Sequence, residues 1–253
     1  MAHVSFILTI VTRKCYNEAR ISLQWEMETM RQIICLGDSV TRGISFVRGR
    51  MRIMKENYPA LLQGSVGSWA VVLNRGVFND NSDGLVERLS SDVLAAHPDI
   101  VLIEIGGNDC NFHWDEVAKR PDETHESIVP LERYVDNIRA LAARIREGGA
   151  QPVFMNILPL DPVRYYRHIY SAYGKSIAHW IALCGGIAYW HDMYNQNLVR
   201  LLSSMGVKMI QVREEFEQSG NPAELISDDG IHPTVSGYRL MSQVVADQLA
   251  AFI

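Results

Sequence analysis

Short apolar runs punctuate the chain, each ending in small or polar residues. Residues 31–36 run into Gly37-Asp38-Ser39, 70–74 lead to Gly76, and 100–105 end in Gly106-Gly107-Asn108-Asp109. Residues 151–156 and 207–212 complete the set. Apolar positions in these runs are continuous, without strict alternation, which predicts strands covered on both faces as in a parallel sheet. Between the runs, apolar residues recur every three or four positions. Leu85, Val86, Leu89 and Val93 follow Ser82-Asp83, a candidate N-cap. Leu131, Tyr134, Val135, Ile138, Leu141, Ala142 and Ile145 share one helical face that Gly148-Gly149 stops. Leu198, Val199, Leu201, Leu202 and Met205 precede Gly206, and Leu240, Met241, Val244, Val245, Leu249 and Phe252 follow Pro233-Thr234. Alternating strands and helices predict an α/β protein with three α/β/α layers and a doubly wound sheet.

Two segments fall outside this alternation. Residues 110–129 are polar, with Phe112, His113 and Trp114 near their start. Residues 161–191 are rich in Tyr and Trp and carry a helical pattern through Ala172, Ile177, Trp180, Ile181 and Cys184 before Gly185-Gly186. Both follow predicted strands, so both are expected to project from the carboxyl edge of the sheet, where open α/β sheets bind ligands. The aromatic residues predict a walled substrate pocket that uses Phe112, Trp114, Tyr165 and Tyr166, with 161–191 as a cap. His179 and His191 flank the Gly-Gly pair with no ligand spacing and read as surface or core residues.

Composition narrows the function classes. The 253 residues are 47% hydrophobic and 21% charged, ordinary globular values that leave out disordered and collagen-like chains. With 24 Lys+Arg against 29 Asp+Glu, the net charge is −5. A mildly acidic chain lacks the overall basic footprint of nucleic-acid or anionic-membrane binders, so neither is expected as a partner. Cys15, Cys35, Cys110 and Cys184 are widely spaced and read as free thiols in a reducing compartment. The apolar run at 4–11 is too short to span a bilayer, and Arg13-Lys14 follow it where a signal peptide would carry a small-residue cleavage site. The expectation is a cytoplasmic chain without stable membrane insertion. Residues 1–30 read as an extension preceding one domain over 31–253, with Met27 and Met30 just before the first strand. Homo-oligomerisation is left open.

The chemistry gathers at strand ends. Ser39 stands after a buried strand and before a helix, where backbone N–H groups stabilise negative charge. Asp229-Gly230-Ile231-His232 places a carboxylate three residues before a histidine, a spacing that lets the acid hold one imidazole nitrogen and leave the other free as a base. Asn108 puts a side-chain amide where it could donate to a developing oxyanion. Taken singly, each has a plainer reading as a cap or a turn.

Together, and in this order, these blocks resemble the GDSL or SGNH hydrolase family of serine esterases and lipases. Gly37-Asp38-Ser39-Val40 is similar to the nucleophile block, with Val where the family name has Leu. Gly76 resembles the glycine of the second block, Gly106-Gly107-Asn108-Asp109 the G-x-N-D block, and Asp229 to His232 the D-x-x-H block. Tyr194-Asn195, before the fifth strand, also fits. The resemblance covers 31–253 apart from the two insertions. It implies a flavodoxin-like five-stranded parallel sheet of order 2-1-3-4-5 and an acylhydrolase acting on a small-molecule ester. It further implies Ser39 as nucleophile, His232 as base, Asp229 as its orienting acid, and an oxyanion hole of Ser39, Gly76 and Asn108, with no cofactor or metal. Two other readings stay open: a non-catalytic flavodoxin-like binding module, and a metal-dependent hydrolase using Asp38, Asp109, Asp229 and His232.

Overall fold

The structure, a computed structural model, describes residues 30–252. The predicted extension, with Cys15 and the apolar run at 4–11, lies outside the described residues apart from Met30. A five-stranded parallel sheet has the order β4 (Ala70–Gly76), β1 (Arg31–Gly37), β5 (Ile100–Glu104), β6 (Gln151–Met155), β7 (Lys208–Ile210). Numbered along the sheet alone, this is 2-1-3-4-5, as the family resemblance implies. The central strands β1, β5 and β6 carry continuous apolar runs because both faces are buried, whereas the edge strands β4 and β7 are partly exposed. Ile34, Leu36, Val101, Ile103 and Phe154 join one core cluster, and their neighbours Ile33, Cys35, Ile100, Leu102, Val153 and Met155 join the other.

Helices cover both faces. On the first side lie α3 (Ser82–Asp92), α5 (Leu131–Glu147) and α8 (Tyr189–Ser204), contributing Leu85, Leu89, Ile138, Leu141 and Leu202. On the second lie α2 (Tyr58–Val66), α9 (Val212–Gln218) and α11 (Val235–Leu249), contributing Leu62, Phe216, Met241 and Val245. The glycine stops hold: Gly149 and Gly206 both take positive φ just past α5 and α8. The cap of α3 is Asn81 and not Ser82, its side chain accepting from Gly84 N.

Three differences from the sequence expectation bear on the site. β7 is shorter than predicted, because Val212 already opens α9 and buries itself in the second core. Ser39 opens a one-turn helix, α1 (Ser39–Arg42), which is followed by a small antiparallel hairpin of β2 (Ile44–Val47) and β3 (Arg50–Ile53) that hydrophobic periodicity does not reveal. The 161–191 segment folds as α6 (Pro162–Tyr173) and α7 (Ile177–Leu183), and α8 begins at Tyr189, well before Leu198. Remaining short helices are α4 (Trp114–Lys119), inside the 110–129 segment, and α10 (Pro222–Leu225).

Candidate active site

β1 ends against the backbone of its own helix. Gly37 pairs with Gly76 across β1 and β4, and a Cβ at Gly76 would lie 2.2 Å from Arg42 N and 2.6 Å from Thr41 C. The bare glycine therefore lets α1 settle on the sheet edge. Asp38 caps that helix, Oδ1 accepting from Val40 N at 2.9 Å. Ser39 follows as the first helical residue, buried at the carboxyl end of the sheet.

The turn before α11 brings the acid and base to it. Gly230 takes φ +82, and a Cβ there would come within 2.3 Å of Tyr165 N, so the turn is clamped on the start of α6. Asp161 N donates to Gly230 O at 2.8 Å from the same helix end. His232 Nε2 lies 2.8 Å from Ser39 Oγ, and its Nδ1 lies 2.5 Å from Asp229 Oδ2. Asp229 Oδ1 accepts from Ser227 Oγ at 2.8 Å, His232 N at 3.2 Å and Ile231 N at 3.3 Å. Burial raises the Asp229 carboxyl, but its bonds to His232 and Ser227 outweigh burial and hold it below its ordinary value. The result is an ionised acid fixed behind an imidazole whose other nitrogen faces a hydroxyl.

A cavity of about 50 Å³ opens at Ser39 and His232, lined also by Glu104, Gly107, Asn108, Asn111, Tyr165, Trp190 and His191. Asn108 Nδ2 donates to Asp80 O at 2.7 Å and leans on Asp38 Oδ2 at 3.2 Å, which orients the amide beside the serine. Tyr165 donates to Asn111 Oδ1 at 2.7 Å. The second histidine in the cavity, His191, is pushed down to about 3 by burial and the Arg213 guanidinium, so it stays a neutral imidazole at ordinary pH. Of the two, only His232 has both a hydroxyl and a carboxylate in reach.

Other sequence candidates fall elsewhere. Gly76 N–H donates to Asn74 Oδ1 at 2.8 Å, and Gly76 is not among the cavity-lining residues. Phe112 and Trp114 do not line the cavity either: both are buried against Trp190, at ring separations of 5.2 and 6.0 Å, and stiffen its wall from behind. Tyr165 reaches the cavity, whereas Tyr166 is half-buried beside Tyr170 outside it. Asp109 turns to Ser82 N at 2.9 Å, so the four groups of the metal-hydrolase reading do not converge. Among the described residues no cluster of three or more His, Cys, Asp or Glu is placed to hold a metal ion. Ser227 and Asn111 are site residues that sequence reasoning missed, since nothing in their local spacing marks them, and His191, read as a surface or core residue, is buried and also lines the cavity.

The sequence profile of the GDSL-like lipase/acylhydrolase family matches residues 35–240. The chain belongs to this family. Among curated relatives of this GDSL-like chain is an acetylxylan esterase of Xylanibacter ruminicola, 24% identical over 222 residues, covering 85% of this chain and 42% of that protein. Thioesterase 1/protease 1/lysophospholipase L1 of Escherichia coli is 27% identical over 147 residues, covering 58% of this chain and 61% of that protein. An arylesterase of Vibrio mimicus is 21% identical, covering 88% and 90% of the two chains. The chain thus spans well under two thirds of the first of these relatives, and slightly under two thirds of the second. A lipase/acylhydrolase from Enterococcus faecalis superposes with a TM-score of 0.60 at 18% identity, covering 87% of this chain and 95% of that one. A catalytic mutant of an acetylxylan esterase from Geobacillus stearothermophilus gives 0.62 at 18% identity, covering 87% and 94%. At such identities these structures speak to the fold.

Proposed function

We propose that this chain hydrolyses carboxylic esters of small acyl groups, with Ser39 as nucleophile. The observation that carries the reading is the continuous hydrogen-bonded line from Asp229 through His232 to Ser39 Oγ, at the mouth of a cavity of about 50 Å³. On this measure a single water needs about 10–15 Å³, so the cavity has room for an acetyl-sized group. The name of the acetylxylan esterase relative supports the same acyl class.

In this mechanism Ser39 Oγ attacks the ester carbonyl while His232 Nε2 takes its proton, and Asp229 stabilises the imidazolium that forms. The oxyanion is held by the Ser39 N–H, which has no acceptor within its own first turn, and by Asn108 Nδ2, whose longer bond to Asp38 gives way. Each such donor supplies about 10²–10³ in rate. Because the Gly76 N–H is already committed to Asn74, the hole is assigned to Ser39 and Asn108. His232 then returns the proton to the leaving alcohol, and a water activated by the same nitrogen releases the acid from Ser39. No cofactor enters these steps.

A serine-reactive phosphonate should label the chain, and Ser39→Ala should abolish labelling and lower the hydrolysis of p-nitrophenyl acetate by more than about a hundred-fold at an unchanged melting temperature. Acetate should be cleaved faster than octanoate. A folded Ser39→Ala protein keeping more than about a hundredth of the rate would overturn the reading.

A further inference from the structure

The hairpin beyond the nucleophile takes no part in the chemistry above, yet it concentrates charge that the overall balance hides. Between Arg42 and Lys55 the chain has five basic residues (Arg42, Arg48, Arg50, Arg52, Lys55) and no acidic one, in a protein of net charge −5. Arg48 and Gly49 have φ +53 and +70, the conformation of a tight two-residue hairpin loop. The register sets Phe46 opposite Met51 and Ile44 opposite Ile53, with Ser45 opposite Arg52 and Val47 opposite Arg50. One face is therefore apolar, and the other carries arginines.

Its root is buried, but every residue from 47 to 53 is exposed. Val47, Met51 and Ile53 stand 44%, 48% and 61% exposed, interleaved with Arg48, Arg50 and Arg52. Large aliphatic side chains clustered in this way on a protrusion mark a contact surface, and their alternation with arginine fixes its chemistry. The root also touches the catalytic apparatus: Phe46 stacks on His232 with ring centroids 5.8 Å apart. Whatever the tip rests on lies beside the catalytic edge.

We propose that this hairpin docks the protein on an anionic phospholipid surface. Met51 and Ile53 on one face enter the boundary between head groups and acyl chains, while Arg50 and Arg52 on the other face, which also carries Val47, and Arg48 at the turn pair with lipid phosphates. A nucleic acid or acidic glycan would use the arginines but leave three aliphatic side chains in water. A second copy docked by two-fold symmetry would set arginines against arginines. An anionic lipid surface satisfies both sets of groups. The overall negative charge does not oppose this strongly, because attraction at the tip acts within a screening length of about 8 Å. Among the described residues no helix is long and apolar enough to cross a membrane.

The test is co-sedimentation of the full chain with phosphatidylcholine vesicles, with and without phosphatidylglycerol. Binding should appear only with phosphatidylglycerol and weaken with salt. Replacing Arg48, Arg50 and Arg52 together with Ser should cost about a hundred-fold in partition, at about five-fold for each arginine. Met51→Ser with Ile53→Ser should also release the protein, while both variants hydrolyse soluble p-nitrophenyl acetate as the parent does. Equal binding to both vesicle types, or none, would overturn the proposal, as would full retention of binding by either variant. Arginine-dependent binding to duplex DNA or heparin that ignores Met51 and Ile53, without vesicle binding, would reassign the surface to a soluble polyanion. A change of oligomeric state in the Met51/Ile53 variant without vesicle binding would reassign it to a second copy. Soluble hydrolysis intact in a chain that ignores vesicles would reject the docking and leave the esterase reading standing.

Discussion

Ser227 gives the sharpest test of how the acid–base pair is held. Its hydroxyl donates to Asp229 Oδ1 at 2.8 Å and accepts from Phe46 N at 3.2 Å, so one buried oxygen ties Asp229 to the hairpin root. The other two donors to Oδ1 are backbone amides at 3.2 and 3.3 Å, both longer. Ser227→Ala removes the shortest of the three. A hydrogen bond to a charged group contributes about 1.5–3 kcal/mol. The carboxylate matters most when His232 becomes a cation, so this loss falls on the transition state and predicts a drop in kcat of about ten- to a hundred-fold. Ser227 does not line the cavity, so KM should hold. Without this bond the Asp229 carboxyl moves back up, and the acidic limb of the kcat profile should move to higher pH. Phe46 N–H also loses its acceptor at a cost of about 1–3 kcal/mol, so kinetics belong well below the melting temperature. Ser227→Thr keeps the hydroxyl and should restore most of kcat. An alanine variant with kcat within two-fold of the parent and an unmoved pH profile would refute the argument.

Gly76→Ala separates two roles for that glycine. If it is there for the close approach of Arg42 N, the variant should lose about 1–3 kcal/mol and several degrees of melting temperature, whereas a pure oxyanion donor would keep its N–H and its stability. Asp109 predicts a pH dependence of stability: burial pushes its folded value up to about 7, above the 3.8 of a free carboxyl, so its contribution is present below about pH 4 and lost as pH rises through 7. At about 1.4 kcal/mol per unit this is about 4 kcal/mol, and Asp109→Asn should flatten the fall in melting temperature between pH 4 and 8.

The sheet was legible because burial on both faces writes itself into residues 33–36 and 100–103 as uninterrupted apolar runs. Ser39 and His232 were legible for a different reason: one follows a strand directly and the other sits three residues after its acid, so short spacing carries the chemistry. What could not be read depends on contacts between distant segments. Asp109 looks like part of the oxyanion block, but its carboxyl serves Ser82 N, 27 residues away. Gly76 resembles an N–H donor, and only the approach of Arg42 reveals its steric reason. Phe112 and Trp114 were expected to line the pocket on the strength of position and ring size. Their rings instead support Trp190, and tertiary packing alone decides which aromatic residue faces the ligand. The hairpin escaped notice because its Arg-Met-Arg-Ile strand is exposed on both faces and so leaves no burial pattern to detect.

The catalytic edge gathers four carboxyls, and their surroundings sort them into different states. Glu104 lines the cavity with Oε2 unpartnered, and burial, reinforced by the charges of Asp38 and Asp109, pushes it well above the ordinary range. Burial thus disfavours a charge at Glu104 that would oppose an oxyanion forming at Asn108. Asp38 is raised to about 6, first by burial, with its bond from Val40 N holding it down. Asp109 is raised further, to about 7. Only Asp229 ends below its ordinary value, because Ser227 and His232 supply bonds to its charged form. Negative charge is thus favoured behind His232, where it stabilises the imidazolium, and disfavoured by burial at Glu104 in the cavity wall. Divergent environments for like groups are how one edge assigns separate acid and base roles. The same burial makes the folded state prefer protonated carboxyls, so the arrangement that favours catalysis also makes stability fall as pH rises.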